Sequence, residues 1–238
     1  MTIEAVMAEL AARGSPQTAD LYRRHGAREP LFGVRFADLR ALAKHLGRDQ
    51  GLARQLWASG NTDARLLGCM VAEPAQMGDA ELDAWLAEID YYVLVDEFVG
   101  DVAAKTPGVH DRMERWRTSR SDWTGQAGYD LLAYLAMKDA SLPDDYFLEH
   151  LAIIEREIHG RGNRTRHAMN NALIAIGIRN HRLEAAAIEA SERIGEVVVD
   201  HGETGCVTPA AIPYIERSRA RARVRKPAGT RAPRASSP

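Results

Sequence analysis

The sequence is a succession of short apolar segments with helical spacing, set between closely spaced glycine and proline breaks, and it carries no alternating strand pattern with hairpin turns. Phe36, Leu39, Leu42, Ala43 and Leu46 share one face of a helix that Gly47 stops. A chain built from such pieces can bury its apolar stripes only by packing helix on helix. Alanine, leucine and arginine are plentiful and aromatics make up 6%, a bias that lowers the cost of entering a helix. Val197-Val198-Val199 is a β-branched run too short to build a sheet.

The breaks predict the elements in order. Ile3 to Ala12 reads as a first helix, ended at Arg13-Gly14, and Ser15-Pro16 opens the next as N-cap and first turn. Helices follow over Arg35 to Leu46 and Leu52 to Trp57, then Ala64 to Ala72 capped by Asn61, and Leu82 to Ile89 capped by Asp79. Tyr92 to Ala103, Val109 to Arg117, a long helix from Ser121 through Met137, and one opened by Pro143 come next. Arg164 to Ile178 and Arg182 to Val198 complete the set. About a dozen helices of roughly 8–17 residues in tandem pairs predict an all-α, HEAT-like α-solenoid of antiparallel helix pairs with a concave face, a globular bundle being the alternative.

No run of roughly 18 apolar residues predicts a membrane span. Met1-Thr2-Ile3-Glu4 lacks the basic and apolar regions of a signal peptide. Cys69 and Cys206 lie in no C-x-x-C pair, so reduced thiols and a cytoplasmic setting are expected, with Cys69 a small buried apolar residue. Trp57, Trp85 and Trp116 read as core.

Charge is distributed unevenly. From Arg217 onward the chain holds seven arginines, Lys226 and no acid, which leaves −10 on the preceding 216 residues of a chain whose total is −2. An acidic body opposes a broad nucleic-acid surface, whereas a basic tail favours an anionic partner. The expected division is a single helical repeat domain over 1–216 and a basic, Pro/Ala/Ser-rich tail over 217–238. Of that tail, Arg217 to Arg225 could extend a helix, and Lys226 onward should be disordered.

The stretch Phe32-Gly33-Val34-Arg35-Phe36-Ala37-Asp38-Leu39-Arg40, followed by Leu56-Trp57, resembles the AlkD-type DNA alkylation repair family. So does Asn61-Thr62-Asp63-Ala64-Arg65-Leu66-Leu67, and the similarity is continuous from about Leu31 to Asn180. The resemblance implies a HEAT-like solenoid that binds double-stranded DNA in a concave basic groove. Active members excise positively charged alkylpurines by hydrolysing the N-glycosidic bond, without metal or cofactor. The family's catalytic carboxylate falls on Asp96, and the aromatic residue four positions earlier, usually Trp, is Tyr92 here. The family's arginine falls near Gln126, after Trp123, and its later tryptophan falls on Asn171. One carboxylate is retained and three partners differ.

An alkylated purine that carries a positive charge is already a good leaving group. A fixed carboxylate then has only to stabilise the oxocarbenium-like sugar. Tyr92 and Asp96 are four apart and share a helix face, where a ring could offer its π-face to a cationic base or sugar. The alternative is a solvated or capping Asp96, in a run with Glu97 and Asp101, beside a core Tyr92.

Other polar groups are candidates for DNA contact. Arg156, Arg161, Arg164, Arg166, Arg179 and Arg182 form one cluster, with His159, His167 and His181 interleaved, and Arg112, Arg115, Arg117 and Arg120 form a second. Both clusters could track phosphates along one rim, or they could belong to a salt-bridged surface. Asn170 and Asn171, with Arg166, form a polar face on an apolar helix that suits either core hydrogen bonds or a base edge. The loop Asp200 to Pro209 holds acid, imidazole, hydroxyl and thiol groups. It suits a nucleophile pair, a metal site without recognised ligand spacing, or a hydrogen-bonded loop that docks the last helix.

The function expected first is thus a monomeric, DNA alkylation repair-like protein that binds duplex DNA in a concave groove, with excision of alkylpurines left open. A non-catalytic HEAT-like module for DNA or for protein partners is the alternative.

Overall fold

The computed structural model describes residues 1–225, and for 222–225 the backbone alone. The described residues form thirteen α-helices and no strand: α1 (Ile3–Arg13), α2 (Pro16–Arg24), α3 (Phe36–Leu46), α4 (Gln50–Ala58), α5 (Thr62–Val71), α6 (Asp79–Ala87), α7 (Tyr92–Asp101), α8 (Val109–Arg117), α9 (Asp122–Lys138), α10 (Asp144–Glu157), α11 (Asn163–Arg179), α12 (His181–Ile194) and α13 (Ala211–Arg225). The expected all-α solenoid is present. Helices α3, α5, α7, α9, α11 and α13 pack one against the next in a continuous row. Helices α4, α8 and α12 back that row against α5, α9 and α11, and α10 packs on α12 in the outer layer.

Local chemistry sets most of the boundaries. Side chains of Ser15, Asp49, Asn61, Ser121 and Asn180 each accept a backbone N–H three residues on and so cap α2, α4, α5, α9 and α12. Two expectations shift. Asp79 is the first residue of α6 rather than its cap, because its carboxylate binds Arg112 at 2.7 Å. Helix α12 ends at Ile194, not Val198, because Gly195 takes φ +72° and closes the helix onto Ser191.

The two segments that carry the family resemblance touch. Asp63 of α5 is completely buried, and its carboxylate accepts the backbone N–H groups of Phe32, Gly33 and Val34 at 2.6, 3.1 and 2.7 Å. Gly33 allows the loop to come this close: its φ is +76°, and a Cβ there would overlap the backbone of Ser15 and Ala19. Trp57 and Trp85 stack at 4.1 Å between ring centroids in the core, as expected for both, and Cys69 is buried.

The boundary at residue 216 falls inside α13. Ile215 is fully buried against Gly177 and Ala187, and Arg219 pairs with Glu184 at 3.1 Å, so the first part of the basic tail is structured. The disorder expected from Lys226 onward lies outside the described residues. Among the described residues no helix is long and apolar enough to cross a membrane.

Replacing Asp63 by alanine leaves three N–H groups, those of Gly33 and Val34 buried and that of Phe32 partly buried, without an acceptor. The expected loss is about 3 kcal/mol of stability, read as a lower urea midpoint with an unchanged denaturant slope.

Candidate nucleic-acid interface

The site is built where α7, α9 and α11 lie side by side. Gly125 of α9 sets the approach, since a Cβ there would overlap the Thr165 hydroxyl of α11. One turn earlier, Asp122 accepts the backbone N–H groups of Arg164 and Thr165 at 2.9 and 2.7 Å, so a side chain of α9 caps α11. These contacts place Gln126 opposite Asp96 and Arg164 above Tyr92.

Gln126 is 4% exposed, and its Nε2 donates to Asp96 Oδ1 at 2.8 Å and to the Tyr92 carbonyl at 3.2 Å. Asp130, one helical turn further along α9, completes the group. Its carboxyl is in hydrogen-bonding contact with Asp96, and burial together with the charge of Asp96 holds it protonated far above the usual carboxylate range. Burial also pushes Asp96 up to about 6, against the opposing effects of Gln126 and Arg164. Yet Asp96 is open to solvent. Water reaches this residue from one side while protein crowds the others, which is enough to disfavour the charged form.

Tyr92 is engaged at both its hydroxyl and its ring. The hydroxyl lies 2.6 Å from His25 Nδ1, and the guanidinium of Arg164 sits 4.1 Å from the ring centroid. Arg164, His167 and Asn171 follow one another along one face of α11. Burial, with His201 and Arg164 adding, lowers His167 to about 4, and burial also lowers His201, so both imidazoles are neutral at neutral pH and Arg164 is the site's cation. Gln126 Oε1, Asp130 Oδ2 and His167 Nδ1 are buried without a hydrogen-bond partner, three acceptor-capable atoms around one site.

The structure thus brings Tyr92, Asp96, Gln126 and Arg164 together and puts Asn171 on the face that Arg164 shares. Trp123 packs partly buried against the core at the start of α9. Three other expected contacts make hydrogen bonds within the protein. Arg161 donates to the carbonyls of Arg117 and Ser119 at 2.8 and 2.6 Å. Arg166 donates to the carbonyls of Val198 and Arg161 at 2.8 and 2.9 Å. Asn170 is buried and donates to the Pro209 carbonyl at 3.0 Å, tying the last loop to α11.

Four more arginines of the two clusters follow the same pattern: Arg112 binds Asp79 and three carbonyls, Arg115 binds Asp83, Arg179 binds two carbonyls, and Arg182 binds Asp145. Sequence reasoning missed His25, far away in the chain, and Asp130, whose signal was an acid inside the apolar stretch of α9, four residues after Gln126.

The 200–209 loop is hydrogen-bonded within itself and to α11. Asp200 N–H and carbonyl both bind Asn163 at 2.7 Å, His201 contacts the Thr208 hydroxyl at 2.9 Å, and Thr204 donates to the His201 carbonyl at 2.8 Å. It also closes over one edge of the site, where His201 packs edge-on against His167 at 5.4 Å. Among the described residues, no group of three or more His, Cys, Asp or Glu could hold a metal ion.

A family model described as DNA alkylation repair enzyme matches residues 6–215. The chain belongs to this family. The match reaches further in both directions than the stretch from Leu31 to Asn180 that shows it by eye. The chain is 28% identical over 226 residues to the uncharacterized protein Lin0241 of Listeria innocua serovar 6a, covering 93% of this chain and 99% of that one. It is 27% identical over 226 residues to the uncharacterized protein Lmo0209 of Listeria monocytogenes serovar 1/2a, with the same coverage. A solved structure described as "a new family of proteins related to the HEAT-like repeat DNA glycosylases with affinity for branched DNA structures" superposes with a TM-score of 0.85. It shares 28% identity and covers 94% of this chain and 96% of its own.

The carboxyl pair gives a pH signature. With its folded value at about 6 and its unfolded value at 3.8, Asp96 binds more protons in the folded state between those limits. Stability contributed here therefore falls as pH rises from about 4 to 6 and is flat above that window. A carbon-13 titration of the Asp96 carboxyl should show a midpoint near 6 that does not fall in Asp130→Asn, because burial raises it and the hydrogen bond with Asp130 lowers it. A midpoint already near 4 in the unaltered chain would mean that burial does not raise the Asp96 carboxyl.

Proposed function

We propose that this chain binds DNA across the face of Tyr92, Asp96, Gln126, Arg164 and Asn171, preferring branched DNA to linear duplex, and does not excise bases. The observation that carries this reading is the guanidinium of Arg164 at 4.1 Å over the Tyr92 ring. A cationic alkylpurine stacked there would meet a fixed like charge, whereas a phosphodiester would meet an attractive one. Asp96 is engaged in the same sense, since Gln126 and Asp130 occupy the carboxyl that would have to stabilise a cationic sugar. The preference for branched DNA rests on the solved relative, whose description names that affinity. The cationic stretch from Arg217 onward supplies sequence-independent attraction to the same partner.

Excision of cationic alkylpurines from duplex DNA is the competing reading. It draws on Asp96 standing open to solvent on the face it shares with Tyr92.

The two separate in one set of samples. Gel-shift titrations of a four-way junction and of a linear duplex of equal length should give tighter, salt-sensitive binding to the junction. Arg164→Ala should flatten the dependence of log K on log salt by about one. Purine-methylated duplex incubated with the same protein should release no free base. Release by the unaltered chain and not by Asp96→Asn would overturn the non-catalytic reading, and binding to neither DNA would favour a protein-interaction scaffold.

A further inference from the structure

Away from the Tyr92–Asp96 site, the turn between α8 and α9 and the turn between α10 and α11 enclose an open cavity of ≈ 560 Å³. Its walls are the side chains of Arg117, Arg120, Arg156, Arg161 and Glu157, with backbone supplied by Gly160 and Gly162. We propose that this cavity is a seat for a phosphate group of the DNA backbone, an inference that rests on the DNA-binding reading above.

Charge is the first argument. Glu157 alone answers two of the arginines, Arg156 at 2.8 Å and Arg161 at 3.4 Å, and Arg117 pairs with Glu114 at 2.6 Å. Arg120 has no hydrogen bond or ion pair among the described residues. Four guanidinium groups therefore face two carboxylates, and two positive charges are uncompensated. This differs from Arg112, Arg115, Arg166, Arg179 and Arg182, which are matched by acids or tied to carbonyls.

Rigidity is the second. Arg161 is held by the carbonyls of Arg117 and Ser119, and its side chain is 16% exposed, so little of its freedom remains to be lost when an anion binds. Behind the cavity, the fully buried Tyr129 places its hydroxyl beside Arg117 and the Arg161–Glu157 pair without a well-formed hydrogen bond. Arg120 and Arg156 are exposed and can close over an incoming group.

Shape and position decide the ligand class. No aromatic or large apolar side chain lines the cavity, so it offers a nucleobase nothing to stack on, while guanidinium forks suit a phosphate. The N–H groups of Arg164 and Thr165 at the start of α11 are already taken by Asp122, so the attraction comes from side chains and not from the helix end. Arg161 and Gly162 precede α11, and Arg164 lies in its first turn. A strand that crosses Arg164 thus reaches the cavity within about a helical turn, the scale of one phosphate step.

Two variants test the seat with little risk to the fold. Arg120→Gln combined with Arg156→Gln removes two exposed cations, and Gly160→Glu projects an acid where nothing lies within 4 Å of a Cβ. For four-way junction binding across a range of KCl concentrations, each variant should weaken affinity and flatten the slope of log K against log salt by about one per lost phosphate contact. Arg179→Gln, altered away from the cavity, should do neither. If the unaltered chain binds the junction and both variants match it in affinity and slope, the seat is wrong while DNA binding stands.

If the unaltered chain does not bind the junction, the DNA reading fails and takes the DNA seat with it. Titration with inorganic phosphate then decides whether the cavity holds an anion at all. Saturating shifts of the Arg117 and Arg161 Nε–Hε signals, absent in Gly160→Glu, would keep an anion site, and no shifts would remove that as well.

Discussion

The carboxylate of Asp122, reaching from α9 to the first N–H groups of α11, is the contact on which the candidate interface depends. An unsatisfied helix start in a buried setting is costly, and here the neighbouring helix satisfies it rather than the residue before it. That fixes the rotation and height of α11 relative to α9, and Gly125 allows the two axes to approach at that height. Every pairing in the site follows from this registration, because Gln126 is one turn along α9 from Asp122 and Arg164 is the residue whose N–H is held. Asp63 does the equivalent work at the other end of the row, where one carboxylate gathers the three N–H groups of the 32–34 loop.

The local field and the net charge point in opposite directions, and the structure explains how both hold. A body at −10 is a poor partner for a polyanion if its charge is spread evenly. Here many acids are spent on arginines: Asp79 on Arg112, Asp83 on Arg115, Asp145 on Arg182, Glu155 on Arg193. The exposed pairs among these contribute little stability each, but all of them cancel charge where they stand. What remains is uneven. Asp96 and Asp130 share a proton and together present one negative charge, not two, while Arg164 and the cavity arginines keep theirs. Recognition of an anion depends on that residual pattern over a few ångströms, within the screening length of physiological salt.

The same arrangement bears on chemistry. Excision of a cationic base needs an unencumbered carboxylate and a ring face that welcomes positive charge. Gln126 is a neutral amide that binds Asp96 directly and brings no charge to the site. Asp130 engages the same carboxyl, so Asp96 links α7 to α9.

The sequence by itself determined the helices and where most of them stop, because caps, prolines and left-handed glycines act over a few residues and need no tertiary partner. Ser15 and Asn61 cap as expected for that reason, whereas Asp79 does not, since the choice between capping α6 and binding Arg112 lies 33 residues away. Periodicity also placed Tyr92 and Asp96 on one face, and motif resemblance set Gln126 at the family's arginine position. Only the tertiary structure decided what those residues face. Arg161, Arg166 and Asn170 look the same in sequence as Arg164 and Asn171, yet loop carbonyls claim the first three. Asp130 and His25 joined the site through packing between helices distant in the chain. A side chain's type and spacing fix what it can do; which buried carbonyl, carboxylate or ring lies within reach settles what it does.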